Sequence, residues 1–129
     1  MTNVVPLRPS DAKWLEGVPH CTDALSFMKK RKPRGSGINY WNVVAAGLPA
    51  DCETGRELAR EYLAYIGQYP TVCNATLLGC IVNDMVAQAA DRADWPAWRK
   101  LSGVERGFLN QINDAAMLLA AHVPQAVRP

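Results

Sequence analysis

Thr54-Gly55-Arg56-Glu57-Leu58-Ala59-Arg60-Glu61-Tyr62-Leu63-Ala64-Tyr65-Ile66-Gly67 is the stretch that decides the fold class. Thr54 followed three residues later by Glu57 matches a capping box. In that motif a hydroxyl and a carboxylate each satisfy an amide left free at a helix start. Behind it, Leu58, Tyr62, Tyr65 and Ile66 share one side of a helical period, and Arg56, Glu57, Arg60 and Glu61 share the other. Gly67 is a natural stop.

Reading forward, Pro70 suits the first turn of a second helix, where a missing amide costs nothing, and that helix is expected to run to about Ala90. Its one charged side chain before Asp91 is Asp84. Leu77, Leu78, Ile81, Val82, Met85 and Val86 form a broad apolar face. Cys73, Thr76, Cys80, Asn83 and Ala87 form an opposite face that is small and uncharged. A surface helix carries lysines and glutamates there. Two explanations follow: the helix is central and covered on both sides, or its small-residue face meets a second copy of the chain or another partner. Ser102-Gly103-Val104-Glu105 is a second capping-box match, and its helix carries Val104, Phe108, Ile112, Ala115 and Leu119 on one stripe until Pro124. Met117 lies off that stripe and extends the candidate contact face.

Reading backward, residues 1–10, with Pro6 and Pro9, are expected to be an extended arm. Ser10 caps a short helix through Trp14. Thr22 or Asp23 caps another through Leu25, Phe27 and Met28 that runs into the lysines. Asn39 starts a short helix through Trp41, Val43 and Val44, although Asn39 to Ala46 is also the one stretch with strand character. The expectation is an all-α, single-domain bundle over residues 1–129. It has four to five helices, with the apolar helix near residues 70–90 at its centre.

Composition sets the outer bounds. A chain of 129 residues with 49% hydrophobic and 20% charged residues can bury a core and is not disordered by composition. The N-terminus lacks the apolar stretch of a secretory signal. Asn74, Asn83, Asp84 and Gln88 interrupt the longest apolar run, so a cytoplasmic protein without a membrane span is expected. The cysteines are Cys21, Cys52, Cys73 and Cys80, with no C-x-x-C pair. On one helix Cys73 and Cys80 stand about 10.5 Å apart along the axis, too far to bond to each other. No metal and no cofactor is expected. The chain has no nucleophile elbow, phosphate-binding glycine loop or H-E-x-x-H, and it is read as a non-enzyme.

The remaining signal is charge. Lys29, Lys30, Arg31, Lys32 and Arg34 are five of the chain's 14 basic residues. Without them nine basic residues face 12 acidic ones, a formal −3 in place of +2. The positive character is therefore local, and a local patch selects partners. One explanation is modest: lysines at a helix C-terminus face the helix dipole favourably. The other is contact with an acidic protein, a nucleoprotein or a nucleic acid. A helix-turn-helix at Gly67–Pro70 is rejected, because the second helix has no basic side chain to neutralise phosphate. Partner contacts are thus assigned to Lys29, Lys30, Arg31, Lys32, Arg34 and Trp41, and a dimer or partner face to Cys73, Thr76, Cys80, Asn83 and Met117. The expected function is a small binding protein that occupies a macromolecular surface. A phage or mobile-element inhibitor of a host nucleic-acid machine, of the anti-CRISPR kind, would suit the basic run. The alternatives are a nucleic-acid-binding regulator and an oligomeric structural component.

Overall fold

A computed structural model describes residues 17–30, 37–92, 94–96 and 101–123. The described residues are mostly helical, with four helices and a small two-stranded sheet. In order, these are α1 (Cys21–Ala24), β1 (Lys29–Lys30), β2 (Ile38–Asn39), α2 (Asp51–Gln68), a 3-10 turn (Val72–Asn74), α3 (Leu77–Ala90) and α4 (Gly103–Ala121). The expected arm at residues 1–10 and the helix at Trp14 lie outside the described residues.

The α2 helix starts one turn earlier than its capping-box match. Asp51 takes the first helical position and holds the preceding turn, accepting from the amides of Ala46 at 3.3 Å and Gly47 at 2.8 Å. Gly47 sits at φ 76°, a conformation that favours glycine. Asp51 and Glu53 in the first turn also suit the positive end of the helix dipole. Thr54 is therefore interior, and its hydroxyl donates back to the Ala50 carbonyl. The second capping box forms as read. Ser102 Oγ accepts from the Glu105 amide, and Glu105 Oε1 accepts from the Ser102 amide.

The closest helix pair is α2 with α4, not a pair built around α3. A Cβ on Gly55 would lie 1.9 Å from the Val104 carbonyl oxygen, and one on Gly107 would lie 2.0 Å from that of Cys52. The two backbones approach as closely as they do because neither glycine has a side chain. Phe108 enters the core from this crossing, with ring centroids 5.0 Å from Trp41, 5.6 Å from Phe27 and 6.0 Å from Tyr62.

Glu105 ties the core's polar groups together. Its carboxylate is 1% exposed and receives both terminal nitrogens of Arg92, at 2.7 and 2.9 Å, and the Trp41 indole N–H at 3.1 Å. Burial alone would raise this carboxyl's pKa. The Arg92 hydrogen bonds, the Ser102 amide and the Trp41 indole overcome that and hold it below the usual carboxylate range.

The expectation of a central helix at 70–90 is corrected. The segment breaks into the 3-10 turn and α3, with Ala75 and Thr76 between them. Only Leu77, Ile81, Met85 and Ala89 are fully buried on α3, a single stripe at four-residue spacing. Val86, expected on the apolar face, is 58% exposed. The stretch Val72–Ala90 is long and apolar enough to cross a membrane by length and composition, and it contributes that one stripe to the core.

Two short helices are also corrected. The α1 helix stops at Ala24, because the chain turns extended at Leu25, and Phe27 and Met28 enter the core from outside any helix. No helix starts at Asn39. The Phe27 carbonyl accepts from the Asn42 amide, Asp84 Oδ2 accepts from the Tyr40 amide, and Gln88 Nε2 donates to the Trp41 carbonyl. Side chains of α3 thus hold residues 40–41 outside any helix.

Candidate functional site

The basic run begins on a strand and not at a helix end. β1 pairs antiparallel with β2 in the register Lys29↔Asn39 and Lys30↔Ile38. The dipole explanation for the lysines therefore fails, since the nearest helix closes five residues earlier, at Ala24. Lys29 and Lys30 are both exposed, and neither forms an ion pair with a described residue. Arg31, Lys32 and Arg34 lie outside the described residues. By sequence they fall in the connection between the two strands.

Beside this hairpin is a cleft of about 300 Å³. One wall is the segment entering α1: Val18, Pro19, His20 and Cys21. The second is Ile38 and Tyr40, from β2 and the residue after it. The third is Cys73, Asn74, Thr76, Leu77 and Cys80, with Tyr65 of α2 at the base. Hydrogen bonds fix the walls. The Tyr65 hydroxyl donates to the Pro19 carbonyl at 2.7 Å, and Asn74 Nδ2 donates to the Tyr69 carbonyl at 2.9 Å. At the start of α1, His20 Nδ1 accepts from the Thr22 amide and caps the helix.

Among the described residues the lining is largely apolar. Burial pushes the Cys21 thiol and the Tyr40 and Tyr65 phenols up from their ordinary values, so all three are neutral at pH 7. No Asp or Glu side chain among the described residues lines the cleft. The carboxylate at its back, Asp84, is occupied by the Tyr40 amide. His20, Cys21, Cys73 and Cys80 all reach the cleft. Even so, no three His, Cys, Asp or Glu side chains among the described residues converge as a metal site requires. What this arrangement can do is accept one apolar side chain from solvent, past the exposed rim at His20, Cys73 and Thr76.

The structure therefore joins two sets of residues that the sequence treats separately. Cys73, Thr76 and Cys80 lie on the cleft, and Lys30 pairs across the hairpin with Ile38 on the opposite wall. Asn83 is exposed on α3 and Met117 is 56% exposed on α4, and neither lines the cleft. Trp41 is a correction. It is 0% exposed, with its ring on Phe27 and Phe108 and its N–H on Glu105, so it is a core residue and not a partner contact. His20, Ile38 and Tyr65 had no functional signal in the sequence, and Tyr40 had only that of an aromatic in or near a loop or short helix. The nearest hint was the Gly35-Ser36-Gly37 break between two short segments, which suits a hairpin connection.

No protein-family model matches the chain, no curated protein matches it, and no solved structure matches it.

Proposed function

We propose that this chain is a non-catalytic binding protein that occupies an acidic surface of a protein or nucleoprotein partner, with the basic hairpin as the contact. The supporting observation is the pairing of Lys29 and Lys30 with Asn39 and Ile38. It sets both lysines in solvent, without an ion-pair partner among the described residues and without a helix end to stabilise. Charges placed this way add little to folding and much to encounter with an oppositely charged surface. An inhibitor of a host nucleic-acid machine, encoded by a phage or mobile element and acting in the cytoplasm, is one protein of this kind.

Titration of the protein against poly-glutamate and against double-stranded DNA at graded salt tests the reading. Salt-sensitive binding to poly-glutamate that disappears in the Lys29→Glu/Lys30→Glu double variant supports it. A preference for DNA, with log affinity falling against log salt by about 0.9 per phosphate contact, makes the chain a nucleic-acid binder instead. Binding unchanged by the double substitution removes the hairpin from the contact.

Self-association is a second reading, favoured by a separate observation. Met117, Leu118 and Leu119 at the end of α4 are each more than half exposed, as is Val86 on α3. Sedimentation equilibrium of wild type and Met117→Lys decides it. A dimer that the substitution dissociates supports this reading, and a monomer at all concentrations removes it.

A further inference from the structure

The cleft and the hairpin are adjacent, and strand geometry makes them one surface. Residues directly opposite across an antiparallel pair project from the same face of the sheet. Lys30 is opposite Ile38, and Ile38 lines the cleft. The Lys30 side chain thus stands on the face of the hairpin that borders the cleft. An apolar recess of about 300 Å³ with a cation at its edge has two complementary halves: one takes a bulky apolar group, the other a carboxylate.

We propose that the cleft seats one large apolar side chain of an acidic peptide segment, of which a carboxylate meets Lys30 at the cleft's edge. The inference rests on the reading of the hairpin as a contact and names what it contacts. Among the described residues the recess has no acidic wall to repel such a segment. A nucleobase fits less well. It would need an open aromatic face to stack on, whereas Tyr65 is 6% exposed with its hydroxyl tied to Pro19, and Tyr40 is half-buried. Base-edge recognition would also need free polar side chains, and Asn74 is already engaged with the Tyr69 carbonyl.

The probes are two labelled peptides, Glu-Asp-Glu-Trp-Glu-Asp-Glu and the same peptide with serine in place of tryptophan, together with an oligothymidylate. Binding is read by fluorescence anisotropy. The tryptophan peptide is expected to bind at least about tenfold more tightly than the serine peptide, the gain from burying one large side chain. Cys73→Trp fills the cleft from its exposed rim and is expected to erase that difference. Lys29→Glu/Lys30→Glu is expected to weaken both peptides. Independently of any variant, the tryptophan peptide is expected to slow alkylation of the wild-type Cys73 thiol, and the serine peptide is not. This second readout stands if Cys73→Trp fails to fold by circular dichroism.

Equal binding of the two peptides, both weakened by the lysine substitutions, overturns the cleft assignment and leaves the hairpin contact intact. Absence of binding to either peptide overturns the cleft assignment, and if poly-glutamate also fails to bind, the proposed function falls with it. Oligothymidylate binding that Cys73→Trp blocks would assign the cleft to a nucleic-acid base and overturn the peptide.

Discussion

The crossing of α2 and α4 and the side where α3 meets the hairpin treat their polar and apolar groups in opposite ways. At the crossing, backbone lies against backbone at Gly55 and Gly107, and the buried Glu105 carboxylate is saturated by Arg92, Trp41 and Ser102. On the other side a cleft stays open, two lysines stand unpaired among the described residues, and α3 leaves Gly79, Asn83, Val86, Ala87 and Ala90 exposed. Thr71, which precedes the 3-10 turn there, carries the one buried side-chain oxygen among the described residues without a hydrogen-bond partner. Packing that closes a fold leaves nothing over for a partner. Surface that folding does not consume is where recognition can reside.

The largest way to break this contrast is at Arg92. Arg92→Ala leaves the Glu105 carboxylate buried without its cation, and stability is expected to fall by about 3–5 kcal/mol in urea unfolding. A loss under 1 kcal/mol would mean that water replaces the guanidinium and that the crossing is looser than its distances imply.

Glycine substitutions compare the two sides directly. Gly107→Ala drives a methyl group into the Cys52 carbonyl and is expected to cost about 1–3 kcal/mol. Gly79→Ala, on α3, meets nothing within 4 Å and is expected to stabilise by about 0.5–1 kcal/mol through helix propensity. Thermal melts of the two variants shifting in the same direction would erase the distinction.

The pH dependence follows from Glu105. Its folded pKa lies below its unfolded value, so it contributes stability that is fully present above the unfolded value of about 4.3. That contribution is lost as pH falls through the folded pKa. The Glu105→Gln variant starts less stable and is expected to lose less on acidification below about pH 4.3, seen as a flatter curve of urea midpoint against pH. Parallel curves would assign the acid sensitivity to other carboxylates.

The smallest expected effect belongs to the open side. Lys29→Ser/Lys30→Ser is expected to leave the melting temperature unchanged within error, since neither lysine makes an ion pair with a described residue. A clear fall would show that the hairpin lysines help hold the fold together.

Legibility in the sequence divides along the same line. The α4 helix was readable down to its cap, because Ser102 and Glu105 are three residues apart and their reciprocal bonds are local. The α2 box at Thr54 misled because Asp51 and the Gly47 turn start the helix upstream. Cys73, Thr76 and Cys80 were read with Asn83 and Ala87 as one side of a single helix, whereas they stand on the 3-10 turn, the residue before α3 and α3 itself. Nothing in the sequence showed that Ile38 would face them across a cleft, because that juxtaposition depends on hairpin pairing and on Asp84 holding Tyr40.

By itself the sequence determined a mostly helical chain, the α4 cap and the local concentration of positive charge. Each of these is a matter of periodicity or of spacing within a few residues, which the chain encodes without reference to distant parts. The tertiary structure decided that Trp41 is core, that Lys29 and Lys30 are strand residues and that the cleft exists. Trp41 finds Glu105 64 positions away, and Tyr40 finds Asp84 44 away. Contacts at such separations form only when the whole chain has packed. Their energies come from burial and hydrogen bonding between segments, and no local pattern records them.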